Sequence, residues 1–257
     1  MGKIIDIHVH IGCDYLKEYT AEAAIEKMDR NGIDYAVISP VPMYPAPDGV
    51  ENSKRQNNYI AESLQKYPDR FLRGLGTVNP RHGKAAIAEV ERMFQELRLH
   101  GMMFSNDKTG LSMDNPIMFE FIRAIPKDIN PVMLMHTSFF SVLEPPFMLE
   151  KLAKSFPDIN FVNGASMRDT VQSNCSWFLS SQNKNIYLDT AAVHYIMHPI
   201  DRAVEQAGEN KLLFGTDSPF YDIAYDKMIV DDSEVSAEIK NKIYFENAKR
   251  LFDIQNL

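Results

Sequence analysis

His8 and His10 close an apolar run, Lys3-Ile4-Ile5-Asp6-Ile7-His8-Val9-His10. In a β-strand, side chains two apart point to the same face. Two imidazoles can then converge on one point from a rigid element, which suits a borderline metal such as zinc. A second apolar run, Val132-Met133-Leu134-Met135-His136, ends in another imidazole. A third, Leu212-Leu213-Phe214-Gly215-Thr216-Asp217, ends in a carboxylate. Each residue has an ordinary reading: a strand-end histidine can be a hydrogen-bonded rim residue, and the aspartate of Gly-Thr-Asp-Ser-Pro can serve a turn. Their joint placement favours a metal site, because the chain has only 7 histidines to distribute.

What must position these groups is a set of alternating elements. Apolar runs at 3–8, 35–40, 71–78, 101–105, 132–136, 160–164, 186–189 and 212–215 read as strands buried on both faces. Amphipathic stretches fall between them, at 21–30, from 52 or 53 to 67, 83–97, 116–124, 145–155, 169–180 and 199–207, with 233–252 at the end. Thr20 is a good N-cap for the first, and Asn31-Gly32 is its stop signal. Segments 40–49 and 217–232 read as irregular loops. Strands alternating with helices imply parallel pairing through right-handed crossovers. Eight such units in 257 residues fit a single α/β domain, a (β/α)8 TIM-like barrel over 1–257. A doubly wound dinucleotide-binding sheet would want a Gly-rich turn after the first strand, where His-Val-His-Ile-Gly-Cys stands instead. In a barrel the site lies at the C-terminal ends of the strands, where His8, His10, His136 and Asp217 are expected. His100 precedes its strand and belongs to the opposite rim.

Composition narrows the partners. Apolar residues make up 45%, and the net charge is −8 with no basic run, which argues against nucleic acid or an anionic membrane. Cys13 and Cys175 do not make a disulfide framework, no signal peptide is recognisable, and no apolar run spans a bilayer. A cytoplasmic protein acting on a small molecule is the expectation.

At this point the motifs match a known pattern. Ile5-Asp6-Ile7-His8-Val9-His10, Ile186-Tyr187-Leu188-Asp189-Thr190, Phe214-Gly215-Thr216-Asp217-Ser218-Pro219-Phe220 and Asn247-Ala248-Lys249-Arg250-Leu251-Phe252 run from end to end. The sequence resembles the amidohydrolase superfamily, in the group containing aminocarboxymuconate semialdehyde decarboxylase. The resemblance implies one divalent metal ion, usually zinc, on His8, His10, His136 and Asp217. It implies a metal-activated water, with Asp217 as catalytic proton shuttle, and a homodimer as the common oligomer. Two departures stand out. Gly101-Met102-Met103-Phe104-Ser105 lacks the lysine that bridges two metals in many members, so a binuclear centre is not expected. Relatives also carry a histidine at the end of the sixth barrel strand, where Ala165 stands here. His194 is a candidate substitute.

The expected activity is hydrolysis of a small amide, ester or lactone. The alternatives are nonoxidative decarboxylation of a small unsaturated or aromatic acid, and a non-catalytic barrel that binds a ligand. Ser166 and Arg168 lie beyond the missing histidine as substrate-binding candidates, Arg168 suited to a carboxylate. Phe104, Tyr44 and Phe220 would suit a planar substrate.

Overall fold

The apolar runs fold as strands because both of their faces find cover. The computed structural model describes residues 2–13, 17–42, 48–193, 196–255 and 257. Tyr44 and His194 lie outside them. The strands are β1 (Ile5–Cys13), β2 (Glu18–Tyr19), β3 (Tyr35–Pro40), β4 (Phe71–Gly76), β5 (Gly101–Phe104), β6 (Val132–His136), β7 (Asn160–Gly164), β8 (Ile186–Asp189) and β9 (Leu212–Leu213). They form one nine-stranded sheet in the order β2-β1-β3-β4-β5-β6-β7-β8-β9. All neighbours are parallel except β2, which pairs antiparallel with the end of β1. The sheet curls. The Ile7 N–H donates to the Phe214 carbonyl at 2.9 Å, and Val9 forms a parallel bridge with Ser218. The first strand thus meets the chain beyond the last.

Helices fill the connections, as the periodicity predicts. Ala21–Asn31 starts at Thr20, whose side chain accepts from the Ala23 N–H, and stops at Gly32, where φ is 67°. That left-handed backbone favours glycine. Pro116–Ala124 and Pro199–Ala207 match their expected bounds. Segment 217–232, expected as a loop, contains the helix Ile223–Asp231, capped by Asp222. β2 was also not expected. No described helix is long and apolar enough to cross a membrane.

The pleat sorts the core into two layers. On one face, Ile5, Ile7, Val37, Leu75, Met103, Leu134, Val162 and Leu213 pack with Phe245, Ala248, Leu251 and Phe252 of the C-terminal segment. On the other, Ile38, Met102, Phe104, Met133, Phe161 and Leu188 pack with the helices. Phe104 therefore faces the helices, stacked on Phe121 with centroids 6.4 Å apart. Met103 takes the inner position in β5.

Candidate metal centre

β1 carries the local feature that makes the site. Its pairing with β3 shifts register between Asp6 and Val9. Ile5 and Ile7 belong to the inner layer, whereas Val9 and Ile11 belong to the outer one. Such an irregularity re-aims side chains, and His8 and His10 take over the inner face. Asp6 holds the irregularity in place. Its carboxylate accepts from the His8 N–H at 3.0 Å and from the Thr216 hydroxyl at 2.6 Å. Burial raises its pKa to about 7 against those hydrogen bonds.

His8, His10 and Asp217 converge. His8 Nε2 stands 3.1 Å from His10 Nε2, and Asp217 Oδ1 lies 3.1 Å from His10 Nε2 and 3.6 Å from His8 Nε2. All three residues are buried. The ring nitrogens that face away are anchored. His8 Nδ1 meets Asp189 Oδ2 at 2.6 Å, and His10 Nδ1 lies 2.9 Å from both the Pro40 carbonyl and the Ser39 hydroxyl. Two nitrogens on one tetrahedral zinc, each about 2.0–2.1 Å from it, would be about 3.3–3.4 Å apart. The observed spacing and the mixed nitrogen and oxygen donors fit a divalent transition metal. One ligand atom from each of these three residues lies within 4.8 Å of the others.

The electrostatics agree with a cation-binding cluster. Burial opposes charge on His8, but Asp217, Asp189 and Asp6 raise its pKa to about 9. Burial lowers the pKa of His10 despite its hydrogen bond to Asp217. Burial would raise Asp217, yet the two imidazoles hold its carboxyl below the ordinary value. Asp217 sits at φ 52°, a left-handed conformation that aspartate tolerates better than most residues. Gly215 lets the backbone pass close to His8 and Asp189, because a Cβ there would lie 3.0 Å from His8 Cβ and 3.3 Å from Asp189 Cβ.

The remaining expected site residues lie around this group. His136, at the end of β6, stands outside the close triplet and pairs through Nδ1 with Glu144 Oε1 at 2.7 Å. Ala165 directly follows β7 at φ 56°, and its N–H donates to Asp189 Oδ1 at 3.0 Å. Ser166 is buried, its hydroxyl donating to the Asp189 carbonyl at 2.8 Å. Arg168 is half-buried and reaches the Tyr221 hydroxyl at 3.2 Å, on the segment that follows Asp217. Phe220 borders the triplet, its ring 5.6 Å from that of His10 and 5.8 Å from that of Tyr19.

Asp189 and Glu144 were not among the expected site residues. Asp189 stands at the polar end of an apolar strand and within one of the motifs that carry the family resemblance, and Glu144 is an acid in a loop.

Comparison with known proteins decides the family. The family model described as Amidohydrolase matches residues 5–254. The chain belongs to the amidohydrolase family. A 2-amino-3-carboxymuconate-6-semialdehyde decarboxylase of Dictyostelium discoideum is 27% identical to this amidohydrolase over 111 residues, 41% of this chain and 31% of that protein. The gamma-resorcylate decarboxylase of Rhizobium sp. (strain MTP-10005) is 23% identical over 94% of this chain and 91% of its own. Among solved structures, the dihydroxybenzoic acid decarboxylase of Polaromonas sp. JS666, with bound manganese and the inhibitor 2-nitroresorcinol, superposes with a TM-score of 0.74. It is 18% identical, over 100% of this chain and 98% of that one. The amidohydrolase is thus similar to the aminocarboxymuconate semialdehyde decarboxylase group, as its motifs imply. The expectation of an amide, ester or lactone hydrolase is corrected, because these relatives are decarboxylases.

Proposed function

We propose that this amidohydrolase is a metal-dependent, nonoxidative decarboxylase of a small aromatic acid, built on a closed (β/α)8 barrel with its site at the C-terminal strand ends. The observation that carries the metal is the meeting of His8 Nε2, His10 Nε2 and an Asp217 oxygen within 3.6 Å, with both histidines anchored through Nδ1. The decarboxylase relatives support the reaction class. His136 completes the proposed ligand set. Bound there, a divalent cation would supply positive charge that holds a carboxylate and a neighbouring oxygen.

The chain's own residues do the rest. Loss of carbon dioxide breaks the ring–carboxylate bond and leaves the electron pair on carbon, which must take a proton. We assign delivery of that proton to Asp217, whose carboxylate would take it up from solvent water and pass it to the carbon, ending as the carboxylate again. Phe220 and Tyr19 give the neighbourhood an apolar, planar surface. Arg168 is offered as a partner for the acid group.

The test is a panel of hydroxylated benzoic acids, unsaturated acids, esters and lactones with metal-loaded protein in heavy water. The proposal expects carbon dioxide release and one deuterium at the vacated carbon. Oxygen from isotopic water in a product carboxylate, without carbon dioxide, would overturn it.

A further inference from the structure

The anchors of the histidines are not equivalent, and the one behind His136 is the most informative. Glu144 is fully buried, lies in the loop after β6, and uses both carboxylate oxygens. Oε1 lies 2.7 Å from His136 Nδ1, and Oε2 accepts from the Asp107 backbone N–H at 3.0 Å. The loop itself is held by backbone, through the Ser138 N–H donating to the Glu144 carbonyl at 2.9 Å. The side chain is therefore not needed to close the loop. Its position joins the end of β6 to the segment after β5.

We propose that Glu144 is a positioning residue that fixes the His136 proton on Nδ1 and leaves the Nε2 lone pair free for a metal. A carboxylate offers only acceptor oxygens, so the nitrogen facing it must be the donor. A neutral imidazole has one donor and one acceptor, and the acceptor is then Nε2. This rests on the metal-centre reading above, with His136 as the ligand that stands apart from the triplet.

Glutamine makes the inference sharp. Its amide has one acceptor oxygen and one donor NH2. The Asp107 N–H is a fixed donor, so it claims the amide oxygen. The NH2 then faces His136 Nδ1, which must become the acceptor, and the proton moves to Nε2. Glu144→Gln keeps size and packing yet gives His136 the tautomer that cannot bind metal through Nε2.

The experiment has two readouts. Histidine 15N resonances of metal-free protein report the tautomer, with His136→Gln used to assign the signal. Competition with a chromophoric chelator reports manganese and zinc affinity. The wild type should carry its His136 proton on Nδ1. Glu144→Gln should carry it on Nε2 and bind metal roughly 10–100-fold more weakly, the usual effect of losing such a partner. A wild-type proton on Nε2 would overturn the inference without any variant. So would an unchanged tautomer or unchanged affinity in Glu144→Gln. If the wild type takes up no metal, the decarboxylase reading falls separately, and the tautomer still decides the role of Glu144.

Discussion

At the C-terminal ends of the strands, His8, His10, Asp189 and Asp217 contact one another. At the N-terminal ends, buried or half-buried polar groups are tied to backbone instead. Lys211 Nζ donates to the carbonyls of Asn183, Lys184 and Ile186 at 2.8–3.0 Å. Arg73 donates to the carbonyls of Leu72, Phe252 and Asp253. His100 Nδ1 accepts from the Gly74 N–H at 3.3 Å. At this lower rim Arg73 ties the sheet to the C-terminal segment, while Lys211 and His100 hold the chain between neighbouring strands, so these polar groups stabilise the fold. The upper rim gathers ionisable groups against each other, an arrangement that favours a bound cation.

The comparison would break if damage at the lower rim stopped turnover as effectively as damage at the upper one. The largest effect is expected at Asp217. Asp217→Asn should lose about 10²-fold or more in turnover on a verified substrate. Metal content must be measured alongside, because an amide oxygen is a poorer ligand than a carboxylate. Full activity with full metal would remove Asp217 from the proton step.

Lys211→Met should do the opposite. Three carbonyls lose a charged donor, which should cost about 2 kcal/mol in denaturant unfolding. Turnover per folded molecule should not change. A loss of turnover at unchanged stability would show that the two rims are not separable in this way.

His100 sharpens the contrast through pH. Burial and the neighbouring Arg73 lower its pKa to about 4. The folded protein keeps it neutral, whereas the unfolded chain takes up a proton near pH ~6.5. Its contribution is therefore fully present above pH ~6.5 and lost as pH falls toward ~4. From pH 6.5 to 5 the loss should reach at most about 2 kcal/mol. His100→Asn should flatten that part of the stability profile. An unchanged profile in the variant would mean His100 titrates normally.

How much of this was legible in the sequence varied with the physics of each element. Val132–His136 and Ile186–Asp189 stood out because buried parallel strands are apolar throughout. The same continuity hid which face each residue takes. Gly101–Phe104 is buried at every position, so nothing in it revealed that Phe104 turns outward. Glu18–Tyr19 is too short to carry a pattern and exists only because it pairs with Gly12 and Cys13. The helix Ile223–Asp231 has its signal in Asp222, an N-cap residue obscured by the turn residues Ser218-Pro219 that precede it. His8, His10 and Asp217 were readable as polar ends of apolar runs. The link between His8 and Asp189 was not, since 181 residues separate them and only the curl of the sheet brings them together.

The central claim, that the upper rim is a metal centre and the lower rim is not, is tested most directly by counting bound metal. Protein purified without chelators and dialysed against manganese or zinc would be analysed for metal beside a His8→Ala, His10→Ala double variant. The wild type should hold about one ion per chain and the double variant none. No ion in the wild type, or the same stoichiometry in the double variant, would contradict the account.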